Sequence, residues 1–247
     1  MISEMNNIWF FLLLLPLVSL LYASVGHGGA SGYLALMALF SFSVQIMKPT
    51  ALLLNLCVAG IAFYHFYKSG HFKRSLFYPF ALSSIPFAFF GSMIEIDPSL
   101  YKKILGVLLV FAVFKMLNII KNQKEIQKKI KLWQGLFFGC CIGFFSGMIG
   151  IGGGIILTPI ILLFHWGNMK EAAAVSALFI WANSAAGFTG HLISGFLITP
   201  QMFVLVGLAI IGGFMGSYLG SKKINEDRLR YILAFVLVLA SIKLIVI

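Results

Sequence analysis

The residues best suited to chemistry in this chain are two glycine clusters, Gly26-His27-Gly28-Gly29-Ala30 and Gly150-Ile151-Gly152-Gly153-Gly154. Gly28-Gly29 and Gly152-Gly153 align at a shift of 124 in a chain of 247 residues. Both clusters lie between apolar segments of membrane type. A glycine break there frees backbone N–H and C=O groups where water is scarce, which is tolerated only where the backbone is buried in protein or lines a cavity. The second helix of each hairpin begins at Gly28-Gly29 or at Gly152-Gly153-Gly154. Its first N–H groups have no partner within the helix. The helix dipole adds partial positive charge there, and the missing side chains let a ligand approach. Such an end suits a small oxyanion. Two ends facing each other would hold one anion near the membrane midplane, and paired breaks in two halves point to a transporter's binding site. The competing reading is close helix packing through small residues. Duplication, and the pairing with short elements, weigh toward the site.

Polar side chains nearby extend this set. Asn55 and Ser176 fall early in the third apolar element of each half. Asn183 follows Ser176 by seven residues, so both lie on one helical face. All three can donate to an oxyanion, or they can hydrogen-bond between helices. His27, inside the first turn, can donate to an anion, relay a proton or satisfy a freed carbonyl. Lys48 and Lys170 stand at helix entrances, where interfacial snorkelling competes with attraction of anions to a vestibule. His65 and His191 read as interfacial, and His71 and His165 as loop residues. The five histidines show no metal-ligand spacing on one helix, and no metal or cofactor is expected. The seven carboxylates, Glu4, Glu95, Asp97, Glu125, Glu171, Glu226 and Asp227, all fall at ends or loops. Coupling through a buried carboxylate is therefore not expected.

The elements that must position these residues are membrane helices. Hydrophobic residues make up 60% of the chain and charged residues 10%, against about 25% charged in a soluble domain. Mean hydropathy is +1.00. The formal net charge of +11 sits mostly in loops, the pattern of membrane orientation, and no basic domain exists to bind nucleic acid. Cys57, Cys140 and Cys141 lie in apolar segments and read as packing residues. The first apolar stretch follows Glu4 and lacks a basic leader, so it reads as a membrane element and not a signal peptide.

Five apolar elements are legible in each half, at roughly 8–25, 29–44, 49–67, 75–94 and 100–120, then 132–148, 153–166, 171–193, 200–220 and 229–247. The first two of each half are too short for a full span of about 20 residues and form a hairpin of half-spanning or tilted helices. Ser69-Gly70 matches Ser194-Gly195, and Gly91-Ser92 matches Gly216-Ser217, at a shift of 125. Met47-Lys48 matches Met169-Lys170 at 122, and Lys115 matches Lys243 at 128. An ordered series at nearly constant shift is the mark of duplication. The expected fold is an all-α polytopic integral membrane protein of two inverted five-element repeats, 1–120 and 132–247, joined by a basic linker, 121–131. Each repeat holds a Gly-rich hairpin of short helices and three spanning helices, for eight to ten transmembrane helices in all. The linker carries Lys121, Lys124, Lys128, Lys129 and Lys131 and is placed in the cytoplasm. The loops around Lys73 and Lys222 then face inward, and both termini face outward.

The run Gly147-Met148-Ile149-Gly150-Ile151-Gly152-Gly153-Gly154, with Leu157-Thr158-Pro159, Lys170-Glu171-Ala172, Ser176, Asn183 and His191-Leu192-Ile193-Ser194-Gly195, resembles the TauE/SafE family of membrane transporters. In the first half Gly28-Gly29-Ala30 and Asn55 stand where that family places its corresponding turn and an asparagine, with Ala30 replacing a more usual glycine. The resemblance implies a bacterial inner-membrane transporter of small anions, often sulfite, sulfonates or related organosulfur compounds. Expected binding residues are Gly28, Gly29, His27, Asn55, Gly152, Gly153, Gly154, Ser176 and Asn183. The expected partners are a small anionic substrate and the lipid bilayer, with no nucleic acid, and a homo-oligomer is compatible. An anion channel would share the composition. A membrane-embedded enzyme could use Ser24, Ser31 or Ser146, none of which has a histidine–carboxylate set beside it in sequence.

Overall fold

The computed structural model describes residues 2–95 and 127–225, with isolated positions at 97, 100, 107, 228, 231, 232, 235 and 238. The expected fifth elements, with Lys115 and Lys243, otherwise lie outside the described residues. The described residues form eight helices: α1 (Ile2–Ser24), α2 (Ala30–Leu39), α3 (Val44–Lys68), α4 (Arg74–Ser92), α5 (Leu132–Ile149), α6 (Gly154–Leu163), α7 (Met169–Ile193) and α8 (Pro200–Tyr218). A π-helical turn, Leu219–Lys223, continues α8. Helices α3, α4, α5, α7 and α8 are long and apolar enough to cross a membrane, so α5, with 18 residues, is not the short helix expected from sequence. Helices α2 and α6 have 10 residues each. At 1.5 Å per residue they reach about 15 Å, half of a hydrocarbon core.

The glycines set where the short helices begin. Gly29 precedes α2 with φ +101, and Gly153 precedes α6 with φ +82. Only glycine adopts such angles without strain. The start of α7 is closed by a reciprocal cap: Asn168 Oδ1 accepts the Glu171 N–H at 2.9 Å, and Glu171 Oε2 accepts the Asn168 N–H at 3.0 Å.

Three pairs of described helices have equal lengths in the two halves, the first being α2 and α6. Helices α3 and α7 each have 25 residues and start at 44 and 169. Helices α4 and α8 each have 19 and start at 74 and 200. Among the described residues two non-glycines take left-handed backbone, Ser41 after α2 (φ 59) and His165 after α6 (φ 56). This register corrects two pairings expected from sequence. Aligned from their first residues, α3 and α7 put Lys48 level with Ala173, not Lys170, and Asn55 level with Ile180, not Ser176. Contacts agree: Gly26 packs on the Ala173 backbone, and Gly150 packs on Lys48.

The main helix pairs cross the two halves. Helix α4 lies along α5, and α1 along α8. Gly139, Gly143 and Gly147 of α5 press on the carbonyls of Phe80, Ser84 and Ala88 of α4. Gly212, Gly216 and Gly220 press on the carbonyls of Pro16, Leu20 and Ser24. Both series advance in step, so both pairs are parallel. A Cβ at any of these glycines would meet backbone, and close backbone approach is how membrane helices gain contact without a hydrophobic drive. Helix α3 crosses α7 antiparallel: Leu52 meets Gly187, Asn55 meets Ser184, and Gly60 meets Trp181. His65, in the last turn of α3, is buried between helices, with Nδ1 2.8 Å from Ser217 Oγ of α8.

Candidate functional site

The two glycine turns meet on one side chain. Asn55 Oδ1 accepts the N–H of Ala30, first residue of α2, at 3.0 Å. Its Nδ2 donates to Ser184 Oγ at 3.3 Å and to the Ile151 carbonyl, in the second turn, at 3.4 Å. Asn55 is fully buried. The absent side chains of Gly28 and Gly152 provide its room: a Cβ on Gly28 would overlap Asn55 Oδ1, and one on Gly152 would stand 2.8 Å from both Asn55 Nδ2 and Ser184 Oγ. These glycines thus allow close approach, and what approaches them is a polar side chain.

A second polar chain joins the hairpins. Thr158 Oγ1 of α6 lies 3.2 Å from His27 Nε2 of the first turn and 2.8 Å from Ser176 Oγ of α7. All three residues are buried. Asn183 lies farther along α7, where its Oδ1 accepts from Ser84 Oγ of α4 at 2.8 Å. Its Nδ2 is a buried donor with no hydrogen-bond partner. Gly29 faces the Tyr33 ring, Gly153 faces Ile142 and Phe179, and Gly154 faces Ile180. The seam between the turns, bordered by His27, Gly28, Ile151 and Ile180, leaves no room for a water molecule.

Of the nine expected residues, then, Asn55, Gly28 and Gly152 form one cluster, and His27 and Ser176 belong to the adjoining chain. Gly29, Gly153 and Gly154 set the turns, and Asn183 stands with α4. Sequence reasoning missed Ser184, Ser84 and the central role of Thr158. Thr158 lies four residues after Gly154 and could have been found by asking which hydroxyl shares a face with the turn.

The two ends of the bundle differ. One end opens into a pocket of about 560 Å³ whose lining includes Gln45, Lys48, Ser92, Glu95, His191 and Ser194. At the other end Lys73 Nζ lies 2.7 Å from Glu171 Oε1, and Gln127 bridges them at 3.0 Å and 3.1 Å. The Lys128 N–H donates to the His165 carbonyl at 2.8 Å, and His71 Nε2 lies 3.3 Å from the Ser221 carbonyl. The loops at 69–73, 127–131, 164–168 and 219–223 thus share this end, with most of the described lysines.

Spanning helices around two broken hairpins, with buried polar groups where the breaks meet, define a polytopic membrane transporter. The chain belongs to the family described as sulfite exporter TauE/SafE, whose model matches residues 11–244. It is 36% identical to a probable membrane transporter protein of Sinorhizobium fredii, over 92% of this chain and 94% of that one. It is 25% identical to a probable membrane transporter protein of Methanocaldococcus jannaschii, again over 92% and 94%. No solved structure matches.

Proposed function

We propose that this protein carries a small oxyanion, sulfite or an organosulfonate, across a bacterial inner membrane by alternating access. The observation that carries this reading is the meeting of both glycine turns on Asn55, beside the His27–Thr158–Ser176 chain. Donors from both halves converge there, and a bound oxyanion would compete for them. Inverted repeats are supported by the antiparallel crossing of the equal-length helices α3 and α7. A two-fold axis that exchanges two antiparallel spanning helices lies in the membrane plane. The basic end is the cytoplasmic one on the loop-charge rule, which puts the pocket outside. This conformation is then outward-open, closed below by Lys73, Gln127 and Glu171.

A channel needs a continuous wet path, and the tight seam between the turns counts against one. The hydroxyls of Ser24, Ser31 and Ser146 are engaged by the Leu21 carbonyl, the Tyr22 hydroxyl and the Gly143 carbonyl, which weakens the enzyme reading. The test is counterflow of labelled sulfite and a simple sulfonate in proteoliposomes, comparing the native chain with Thr158→Val. Saturable exchange, lost in the variant, supports the reading. Exchange equal in both removes the site, and flux that never saturates favours a channel. Gly153 is a poor probe: its φ is +82 and a Cβ would stand 2.7 Å from Ile142 Cγ2, so a larger residue there disturbs the fold as well.

A further inference from the structure

We infer that Lys48 and His191 form an anion-capture site at the floor of the pocket, separate from the central seam and present on one face of the membrane only. Lys48 lines the pocket yet is only 6% exposed, and its backbone packs against Gly150 of the second turn. The cation thus sits at the wall between open pocket and broken hairpin. His191 lines the same floor, and its Nε2 is buried without a hydrogen-bond partner. The neutral ring offers that nitrogen as donor or acceptor according to tautomer. Ser92 and Ser194 add hydroxyls to the lining. Together these groups suit a small, compact oxyanion.

The acidic groups facing this floor are Glu95 and Asp97, both exposed at the rim. Glu95 and Lys48 line the same pocket, where their opposite charges attract. An arriving anion therefore competes with the Glu95 carboxylate for the Lys48 ammonium. That competition gives the two residues opposite signs: removing Lys48 weakens capture, and neutralising Glu95 strengthens it. Ala173 holds the equivalent register position at the basic end, so Lys48 has no lysine counterpart at that position. Capture is consequently asymmetric, with a lower half-saturating concentration at the pocket face.

This inference rests on the small-anion reading for its ligand class, and its test does not require transport. With Cys57, Cys140 and Cys141 replaced by alanine, Ser194→Cys places a thiol in the pocket lining. Its reaction rates with a sulfonate-bearing and a trimethylammonium-bearing methanethiosulfonate report the local potential. The anionic-to-cationic rate ratio should fall about fivefold or more in Lys48→Met, hold in Lys48→Arg and rise in Glu95→Gln. A ratio unmoved by Lys48→Met, or a fall in Glu95→Gln, overturns the site. In vesicles active for sulfite, Lys48→Met should raise the half-saturating concentration from the pocket face about fivefold, with little change from the other. Equal rises at both faces would overturn the asymmetry. If the thiol ratios move as expected and no anion is exchanged, the capture site stands and the transport reading fails.

Discussion

Asn55 and Ala30 are joined by a hydrogen bond of 3.0 Å that runs from the first amide of a half-length helix to a side chain on a spanning one. Through its Nδ2, Asn55 also donates to the Ile151 carbonyl of the other hairpin. One neutral side chain therefore supplies an acceptor to one break and a donor to the other, as water would if it were present.

Replacing Asn55 by leucine leaves both partners buried and unsatisfied. The expected cost is about 2–4 kcal/mol, from two groups at 1–3 each with partial relaxation. Asn55→Asp keeps the acceptor for Ala30 and sets a carboxylate against the Ile151 carbonyl, so it should be no better. Thermal unfolding in detergent reads the loss, and wild-type stability in the leucine variant would refute the bridge.

Thr158 stands between His27 and Ser176, so it is the variant that separates packing from polarity. Thr158→Val keeps the shape and removes the hydroxyl. Counterflow should drop about tenfold or more, while stability falls by only about 1 kcal/mol. Thr158→Ser should restore most of the rate. A valine variant as active as the native chain would show that the chain is structural.

The Lys73–Glu171 pair lies at the basic end. Because Lys73 is 40% exposed, the pair is worth at most about 1 kcal/mol. Glu171→Gln should therefore open that end modestly, by a factor of about two to five. In a cysteine-free background, Ser176→Cys labelled by an impermeant reagent from the basic end reads the change, and Lys73→Gln should match it. Unchanged labelling in both would show that the pair is no latch.

Glycine contacts make a paired prediction. Gly143→Ala drives a Cβ into the Ser84 backbone of α4, so the backbones must separate, at about 1–3 kcal/mol. Gly207 of α8 has nothing within 4 Å, and Gly207→Ala should be neutral or stabilise by up to about 1 kcal/mol. Unfolding temperatures that moved alike in the two variants would contradict the packing.

Much of the architecture was legible because it is written twice. The glycine turns, the short second helices and the break after each of them recur at almost one interval. The short helices were read too long, as 29–44 and 153–166, because Phe40, Phe42 and Phe164 are as apolar as the helices they follow. The pairings of Lys48 with Lys170 and Asn55 with Ser176 failed for a related reason. Residue likeness aligned them, whereas helix register is set by where the breaks fall. Ser184 and Ser84 were invisible because their partners lie 129 and 99 residues away, on helices whose facing sides no local pattern specifies. The contact of His65 with Ser217 was hidden for the same reason, the two being 152 positions apart.

The parallel contacts of α1 with α8 and of α4 with α5 have a consequence for how such a chain is assembled. Each seals a helix of one half against a helix of the other, backbone to backbone. Neither half keeps its glycine face covered alone. A chain cut between α4 and α5 would expose both glycine faces, and its two pieces would regain that contact only by reassociating along them.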